Sequence, residues 1–307
     1  MSESFRVKSV LVTGATGFIG RYLITTLSQR QELQISAATR RPVDLPLRSG
    51  CVGNIDGDTD WRSVLQGIDV VIHLAARAHV LHEDGGDPEA EFFTVNTVGT
   101  LNLAKQAIAA GVKHFILVSS GGAMATLSDR PLDETAACQP DTPYGRSKLQ
   151  AEIELQRLCA DSSMTWTILR PTLVYGPGNP GNMAALLKLV NQGLPLPLRA
   201  IRNRRSLLYI GNLVDVVHRC IDDPAAQNQT FLVSDDEVVS TPDLIRQIGQ
   251  AMGKPPHLSP VPPMLLIALA KFLGQGERIA RLTGSLEVSN HHLQRTLKWS
   301  PPYSFRQ

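Results

Sequence analysis

The sequence has little of what marks a disulfide-bonded, membrane-spanning or nucleic-acid-binding protein. Its four cysteines form no CxxC pair, which predicts neither a disulfide framework nor a metal site. Lysine and arginine total 30 against 28 acidic residues, so neither charge has the excess that a nucleic acid or an acidic membrane would favour. The most apolar stretch, 264–273, is shorter than the roughly 20 residues of a membrane span, and the N-terminus lacks the apolar core of a signal peptide. We therefore expect a cytoplasmic protein without a metal, a nucleic-acid partner or membrane insertion.

Short apolar runs alternate with segments of helical spacing in the first part of the chain. The pattern predicts strands at 7–13, 33–38, 70–74, 115–118 and 166–169, and helices at 18–29, 94–110 and 144–158. This alternation indicates an α/β fold with a Rossmann-type, doubly wound parallel sheet. Beyond residue 172, proline and glycine crowd together, which predicts a smaller C-terminal substrate-binding domain. We assign the domain of the doubly wound sheet to 1–172 and the smaller domain mainly to 173–307, with segments near 207–236 returning to the first sheet.

A glycine-rich turn stands between the first predicted strand and the first predicted helix. In Gly14-Ala-Thr-Gly17-Phe-Ile-Gly20 the first glycine permits a tight turn, the second lets the backbone approach a pyrophosphate, and the third lets helix and strand pack closely. Backbone N–H groups and the helix dipole favour anionic phosphates there. The turn predicts a dinucleotide site, and its spacing resembles that of the short-chain dehydrogenase/reductase superfamily. The candidate contacts are Gly14, Thr16, Gly17, Phe18, Ile19 and Gly20.

The end of the second predicted strand bears on which dinucleotide is bound. An acid at this place usually holds the ribose hydroxyls of NAD, whereas this chain has Arg40 and Arg41. Arginine grips a phosphate through paired hydrogen bonds, so the sequence favours NADP(H), with NAD(H) left open. Asn54 and Ile55 stand where the superfamily normally has an Asp-Ile pair beside the adenine, and the resemblance implies that they contact that ring.

Tyr144 and Lys148 are the central candidates for catalysis. They lie four residues apart at the start of a predicted helix, so both side chains project from one face. A phenol with a pKa of about 10 transfers protons better when that pKa falls toward neutral, and a nearby ammonium group favours the phenolate. We therefore predict that Tyr144 is the acid/base and that Lys148 is its partner.

Further residues resemble the extended short-chain dehydrogenase/reductases, the NAD-dependent epimerase/dehydratase family. The pattern joins Tyr144 and Lys148 to Ser120 directly after a buried strand, to the HLAA run at 73–76, and to Asn96 on the following helix. The resemblance implies that Ser120 is also catalytic and bonds the reacting sugar oxygen. It implies cofactor contacts from Leu74, Ala75, Ala76, Asn96, Tyr144, Lys148 and Pro171. One departure is the run GGAMAT at 121–126, which replaces a bulkier stretch and alters the wall beside the reacting carbon.

The second half resembles the part of this family that binds a nucleotide-linked sugar. Its motifs are RPTLVYGPG at 170–178 and NRRSLLYI at 203–210. The resemblance implies that Arg205 binds the diphosphate, which needs a cationic partner once it leaves water. It implies substrate contacts from Arg77, His79, Ser119, Ser120, Asn182, Pro197 and Arg205. We therefore expect a UDP-sugar as the small-molecule partner.

The segments HLAARAHV, NRRSLLYIGNLVD and FLVSD are most similar to a narrower branch, the bacterial reductases of O-antigen (lipopolysaccharide) pathways. Those enzymes act on UDP-2-acetamido-2,6-dideoxy-hexos-4-ulose. The resemblance implies NADPH-dependent reduction of the C4 ketone to UDP-N-acetylquinovosamine or its 4-epimer, with Tyr144 as proton donor. Two alternatives stay open: a UDP-sugar 4-epimerase with tightly bound NAD, and a non-catalytic dinucleotide-binding regulator or scaffold. Relatives also suggest a homodimer through the helix that bears Tyr144.

Overall fold

A parallel sheet of seven strands carries the first part of the chain in the computed structural model, which describes residues 7–78, 87–272, 274 and 276–305. The strands of the described chain are β1 (Lys8–Thr13), β2 (Leu33–Thr39), β3 (Arg48–Cys51), β4 (Val70–His73), β5 (His114–Val118), β6 (Thr165–Pro171), β7 (Leu173–Tyr175), β8 (Arg205–Tyr209), β9 (Gln229–Val233) and β10 (Val238–Val239). The large sheet has the order β3-β2-β1-β4-β5-β6-β9, and a three-stranded sheet has the order β10-β8-β7.

Helices cover both faces of the large sheet and build most of the C-terminal part. They are α1 (Phe18–Leu27), α2 (Arg62–Leu65), α3 (Pro88–Phe93), α4 (Thr100–Ala109), α5 (Pro143–Ala160), α6 (Asn182–Asn191), α7 (Ile210–Asp222), α8 (Thr241–Ala251), α9 (Pro263–Phe272), α10 (Gly276–Thr283) and α11 (His291–Leu297). Several begin with a capping side chain and a proline in the first turn: the Thr142 hydroxyl accepts from the Gly145 N–H at α5, and Ser240 caps α8 in the same way.

The position of β1 in the sheet creates the crevice that can hold a ligand. β1 pairs with β2 on one side and with β4 on the other, so the chain crosses over in opposite directions from this strand. Ligands of open α/β sheets bind at such a switch point, beyond the carboxyl ends of the strands. The glycine turn after β1 and the segment after β4 both lie there.

The core lies on both faces of the large sheet. Val10 and Val12 of β1 pack with Leu23 of α1 on one face, whereas Leu11 packs with Leu103 of α4 on the other. Burying each such side chain contributes about 1.5–3 kcal/mol. Residues from the second half join the first face, among them Leu213, Val217, Phe231, Leu293 and Trp299. The late part of the chain therefore helps to build the first core.

The sequence prediction of a doubly wound parallel α/β fold is confirmed, with differences in individual elements. β3 was not predicted, because its residues RSGC have no apolar pattern. The helix predicted at 94–110 begins earlier, at Pro88, and widens into a π-helical stretch over Thr94–Gly99 before α4. β9 pairs in parallel with β6 and so lies in the first sheet, while the proposed domain boundary stays a prediction. Over the residues that the structure describes, no helix has both the length and the hydropathy to cross a bilayer.

Candidate active site

The glycine turn is tight and leaves its outer side open. Gly14 has φ +68°, and a Cβ there would lie 2.7 Å from the Ala75 nitrogen. The Gly17 N–H donates to the Gly14 carbonyl at 3.0 Å, and a Cβ on Gly20 would lie 2.2 Å from that same oxygen. Gly17 is the N-cap residue of α1 and has no side chain to cap the first turn. The turn therefore presents a bare helix N-terminus, which fits a pyrophosphate group. Thr16, Phe18 and Ile19 complete it.

The predicted contacts of the adenosine half follow β2 and β3. Arg40 and Arg41 follow β2, and both are exposed. Asn54 is exposed, and its carbonyl accepts from the Thr59 hydroxyl at 2.8 Å. Ile55 packs closely against Gly99, where a Cβ would lie 2.5 Å from the Ile55 Cγ2 atom. The arginines are thus accessible to a ligand at the end of β2, the position from which their role was predicted.

His73 at the end of β4 links the strand ends that form the crevice. Its ring nitrogens hydrogen-bond to Thr13 at 2.7 Å and to Thr100 at 3.0 Å. Thr13 in turn accepts from the N–H of Ala75, which with Leu74 and Ala76 forms the segment after β4. Burial, with a smaller contribution from Lys148, lowers the pKa of His73 to about 3. His73 is therefore a neutral connector that fixes the wall of the crevice.

The low pKa of His73 predicts acid sensitivity. Below pH 6.5 an unfolded chain protonates this imidazole, whereas the folded chain keeps it neutral until about pH 3. The unfolded state then binds more protons, so the free energy of unfolding falls as pH drops through this window. We expect His73→Gln to remove about 2 kcal/mol of the difference between pH 7 and pH 5, measured by urea denaturation at both values. An unchanged difference would refute this account. His114→Gln provides a matched comparison, because burial also lowers the pKa of His114, to about 4.

Asn96 lies in the π-helical stretch and ties the segment after β4 to α5. Its side-chain oxygen accepts from the Arg77 N–H at 2.8 Å, and its amide donates to the Arg77 carbonyl and to the Ser147 hydroxyl, both at 3.0 Å. The Ser147 hydroxyl donates to the Tyr144 carbonyl at 2.8 Å. π-Helical turns are often found at functional sites. Here the widened turn directs a fully buried amide at the start of α5.

Ser120 and Tyr144 meet where α5 begins. A Cβ on Gly145 would lie 2.2 Å from the Gly122 carbonyl, so the helix packs tightly on the turn that follows Ser120. The Ser120 oxygen accepts from the Gly122 N–H at 3.0 Å, and the Ser120 hydroxyl lies close enough to the Tyr144 phenol to affect its pKa. The phenol ring also packs edge-on against Phe92, with ring centres 6.0 Å apart. One ligand oxygen can therefore contact both hydroxyls.

Lys148 lies beneath this pair, one helical turn after Tyr144. Its side chain is 1% exposed, and its ammonium donates to the Val118 carbonyl at 3.0 Å. Burial lowers the pKa of Lys148 to about 8, while Glu152 opposes the change. Pro171 ends β6 nearby, and a Cβ on Gly121 would lie 3.3 Å from its carbonyl.

The pKa of Tyr144 differs from the sequence expectation. Burial raises the pKa of this phenol, and the hydrogen bond from Ser120 opposes the increase. Lys148 was expected to lower it, but this lysine already donates to the Val118 carbonyl, and burial lowers its own pKa to about 8. The chain's own groups therefore keep Tyr144 protonated, which suits a proton donor. Use as a base requires added positive charge beside the phenol.

Several predicted substrate contacts have other partners in the structure. The Ser119 hydroxyl donates to the buried Glu152 carboxylate, and the Arg77 guanidinium forms an ion pair with Glu91 at 2.5 Å. Arg205 begins β8, where its guanidinium contacts the Gly284 carbonyl at 3.4 Å and burial lowers its pKa. Their direct contact with a substrate stays a prediction. Asn182 begins α6, Pro197 is half-buried in the turn before residue 200, and His79 lies outside the described residues.

Glu152 and Arg170 were missed by the sequence reasoning. The Arg170 guanidinium donates to the Glu152 carboxylate through Nε at 3.0 Å and Nη2 at 2.6 Å, and both residues are buried. A carboxylate four residues after Lys148, on the same helix stripe, is the signal that could have revealed the pair. Across the described ranges, no group of three or more His, Cys, Asp or Glu side chains has an arrangement that could hold a metal ion.

The parallel sheet, the bare glycine turn at its switch point and the Ser120–Tyr144–Lys148 constellation define an enzyme of the short-chain dehydrogenase/reductase type. The family model of the NAD dependent epimerase/dehydratase family matches residues 10–234, and the chain belongs to this family.

Named relatives agree with this membership. The chain is 42% identical over 306 residues to the UDP-glucose 4-epimerase of Vibrio cholerae, covering 98% of this chain and 93% of that protein. A structure of MoeE5 in complex with UDP-glucuronic acid and NAD has a TM-score of 0.78 at 23% identity, covering 97% of this chain and 95% of that one. A structure of the Thermotoga maritima UDP-glucose 4-epimerase with UDP-glucose has a TM-score of 0.76 at 21% identity, with coverages of 97% and 95%. The two structures support the fold.

Proposed function

We propose that this chain is a UDP-hexose 4-epimerase with NAD as its resident cofactor. The observation that carries the proposal is the identity of 42% along nearly the whole chain with the Vibrio cholerae UDP-glucose 4-epimerase. The neighbouring hydroxyls of Ser120 and Tyr144 would supply the proton transfer that inversion at C4 needs. This reading replaces the 4-ketoreductase as the leading interpretation, and the reductase becomes the second candidate.

The residues present fit such a cofactor. Gly14 and Gly20 bring strand and helix so close that a Cβ on either would clash with backbone. The N-cap residue of α1 is Gly17, so no side chain of that residue covers the N-terminus of the helix. The pyrophosphate would lie on this turn, and Lys148 and Tyr144 would contact the nicotinamide ribose. NAD, when bound, would supply the acceptor and donor of the C4 hydrogen and, when oxidised, a positive charge near the phenol.

Tyr144 and Ser120 would handle the oxygen of C4. During oxidation the Tyr144 oxygen would take the proton of the C4 hydroxyl, and during reduction of the opposite face it would return that proton. Ser120 would donate to the C4 oxygen throughout and hold it beside the phenol. Gly122 keeps the space next to both side chains clear, since a Cβ there would lie 3.2 Å from the Ser120 hydroxyl and 4.0 Å from the Tyr144 ring. This clearance gives the sugar room to present either face.

The second candidate, an NADPH-dependent 4-ketoreductase, rests on Arg40 and Arg41. Both are exposed after β2, where a guanidinium can hold a ribose phosphate. A reductase must exchange its spent cofactor after every turnover, whereas an epimerase regenerates its own. The two candidates therefore differ in whether a dinucleotide stays bound to the protein through purification.

Purification without added dinucleotide separates the two candidates. We expect the protein to retain NAD, detected after heat denaturation by enzymatic cycling, and to interconvert UDP-glucose and UDP-galactose, or their N-acetylated forms, with no cofactor supplied. The control is UDP-4-keto-6-deoxy-N-acetylglucosamine with NADPH, followed at the nicotinamide absorbance. Protein that emerges free of dinucleotide, converts no UDP-hexose and consumes NADPH with the keto sugar would refute the epimerase proposal in favour of the reductase.

A further inference from the structure

A buried charged cluster stands directly under the candidate catalytic residues. It consists of Glu152, Ser119 and Arg170. Both carboxylate oxygens of Glu152 are engaged: Oε1 accepts from the Ser119 hydroxyl, and Oε2 accepts from Nε and Nη2 of Arg170. Glu152 is 1% exposed and Arg170 is 8% exposed. Charges so far from water persist only when they are paired and hydrogen-bonded, so this arrangement is specific.

The cluster connects three elements that carry catalytic or cofactor-binding residues. Ser119 immediately precedes Ser120, and its N–H donates to the Leu169 carbonyl at 2.7 Å, which joins the ends of β5 and β6. Arg170 immediately precedes Pro171 on β6. Glu152 lies on α5 one turn after Lys148 and two turns after Tyr144, on the buried stripe of the helix. One carboxylate thus spans the strand end that leads into Ser120 and the helix that bears Tyr144.

The negative charge of Glu152 also acts on the Lys148 ammonium group. Among the described residues, the titratable or charged groups near this lysine include Tyr144 and Glu152 on α5, His73 at the end of β4 and, beyond Glu152, Arg170 on β6 with the Cys138 thiol beside it. His73 is neutral at working pH, and Tyr144 is protonated. Arg170 is cationic, which leaves Glu152 as the anion of this set. Its charge opposes the burial that lowers the pKa of Lys148.

We propose that Glu152 is a positioning residue of this active site, because its carboxylate fixes the strand end that carries Ser120 and places a buried negative charge one helical turn from Lys148. This inference rests on the proposed function, since it assigns Glu152 a part in the chemistry at Tyr144. A purely structural carboxylate would contribute to stability alone. A positioning carboxylate also controls the protonation of Lys148 and the rate of the C4 reaction.

The two effects can be separated by two substitutions. Glu152→Gln removes the charge and keeps the shape, and we expect kcat to fall about 10-fold to 100-fold with KM for the UDP-sugar nearly unchanged. The pKa of Lys148 should fall by about one unit, so that activity is lost at lower pH on the alkaline side. Ser119→Ala keeps the charge and removes only the bond to the strand end. It should lower kcat about 10-fold and leave the Lys148 titration within a few tenths of a unit.

The Lys148 titration is measured directly by NMR of protein with 13C-labelled lysine side chains, with the signal assigned by Lys148→Arg. This readout needs no substrate, so it tests Glu152 even if no UDP-hexose is converted, an outcome that would count against the proposed function alone. An unchanged Lys148 titration and kcat in a folded Glu152→Gln variant would overturn the inference. Should that variant fail to fold, Ser119→Ala and the charge-preserving Glu152→Asp decide the matter, because wild-type kcat in both would equally overturn it.

Discussion

Replacing Tyr144 with phenylalanine is expected to lower kcat for the C4 reaction about 1000-fold, while affinity for NAD falls by no more than about 10-fold, the loss of a single hydrogen bond. The substitution removes one oxygen atom, the phenol oxygen whose pKa the neighbouring Ser120 hydroxyl lowers. The ring stays, and so does its edge-on packing against Phe92 at 6.0 Å. Proton transfer by a positioned side chain contributes about 100-fold to 10,000-fold to a rate.

The matched control is Tyr303→Phe. This tyrosine is 46% exposed in the C-terminal segment and packs edge-on against Tyr209, with ring centres 5.4 Å apart, so its ring contact survives the same loss of oxygen. We expect wild-type kcat for this variant in a coupled assay of UDP-hexose interconversion. Turnover by Tyr144→Phe at more than about one tenth of the wild-type rate would remove Tyr144 from its acid/base role.

The strands at the centre of the sheet are those that sequence patterns predict best. β1, β4 and β5 are buried on both faces, as Val10 to Val12 show, so their residues are apolar without alternation. β3 lies at the edge of the sheet, is mostly exposed, and needs no such composition. Its backbone pairing with β2, from Ser36 with Arg48 onward, decides its structure. An edge strand of four polar or small residues leaves little pattern for local reasoning to use.

The helix before the catalytic region shows a second limit. Periodicity at 94–110 correctly indicates helix, but the widened π-helical stretch depends on contacts that the local sequence does not contain. Asn96 reaches Arg77 and Ser147, and Thr97 donates to the Ser147 carbonyl at 2.8 Å. These partners come from two other elements. Tertiary packing therefore selects the local geometry, as it commonly does when helix propensity is weak.

Motif reasoning identified the backbone scaffold of the candidate site better than the partners of its long side chains. Glycine positions and the Tyr144–Lys148 spacing follow from local geometry, and the structure brings Ser120 to Tyr144. Ser119 and Arg77 were expected to face a substrate, yet each has an acidic partner, Glu152 and Glu91. The pairing of each hydroxyl or guanidinium with a particular carboxylate depends on how the helices pack against the sheet. A motif that lists residue types along the chain does not contain that information.

Gly20→Ala is expected to have the second large effect, a loss of NAD affinity of about 100-fold together with a lower melting temperature. The added Cβ would lie 2.2 Å from the Gly14 carbonyl oxygen and 2.7 Å from the Ala15 Cα atom, both backbone atoms. Gly14 has little room to retreat, because the space beside it is closed by backbone: a Cβ on Gly14 would lie 2.7 Å from the Ala75 nitrogen after β4. The N-terminus of α1 must therefore move away from the turn. Overpacking of this kind costs about 3 kcal/mol, which corresponds to roughly 100-fold in a dissociation constant when the displaced group is the binding site.

Gly67→Ala is the control that separates steric clash from general loss of a glycine. Gly67 has φ +74°, and a Cβ there would meet nothing within 4 Å. The substitution should cost about 1–2 kcal/mol of stability through the left-handed backbone and leave NAD affinity unchanged. Titration calorimetry on protein freed of resident NAD measures both affinities, and thermal melting measures both stabilities. Wild-type NAD affinity in Gly20→Ala would mean that the pyrophosphate does not lie on the glycine turn, since a ligand bound elsewhere in the crevice would not depend on how closely α1 approaches β1.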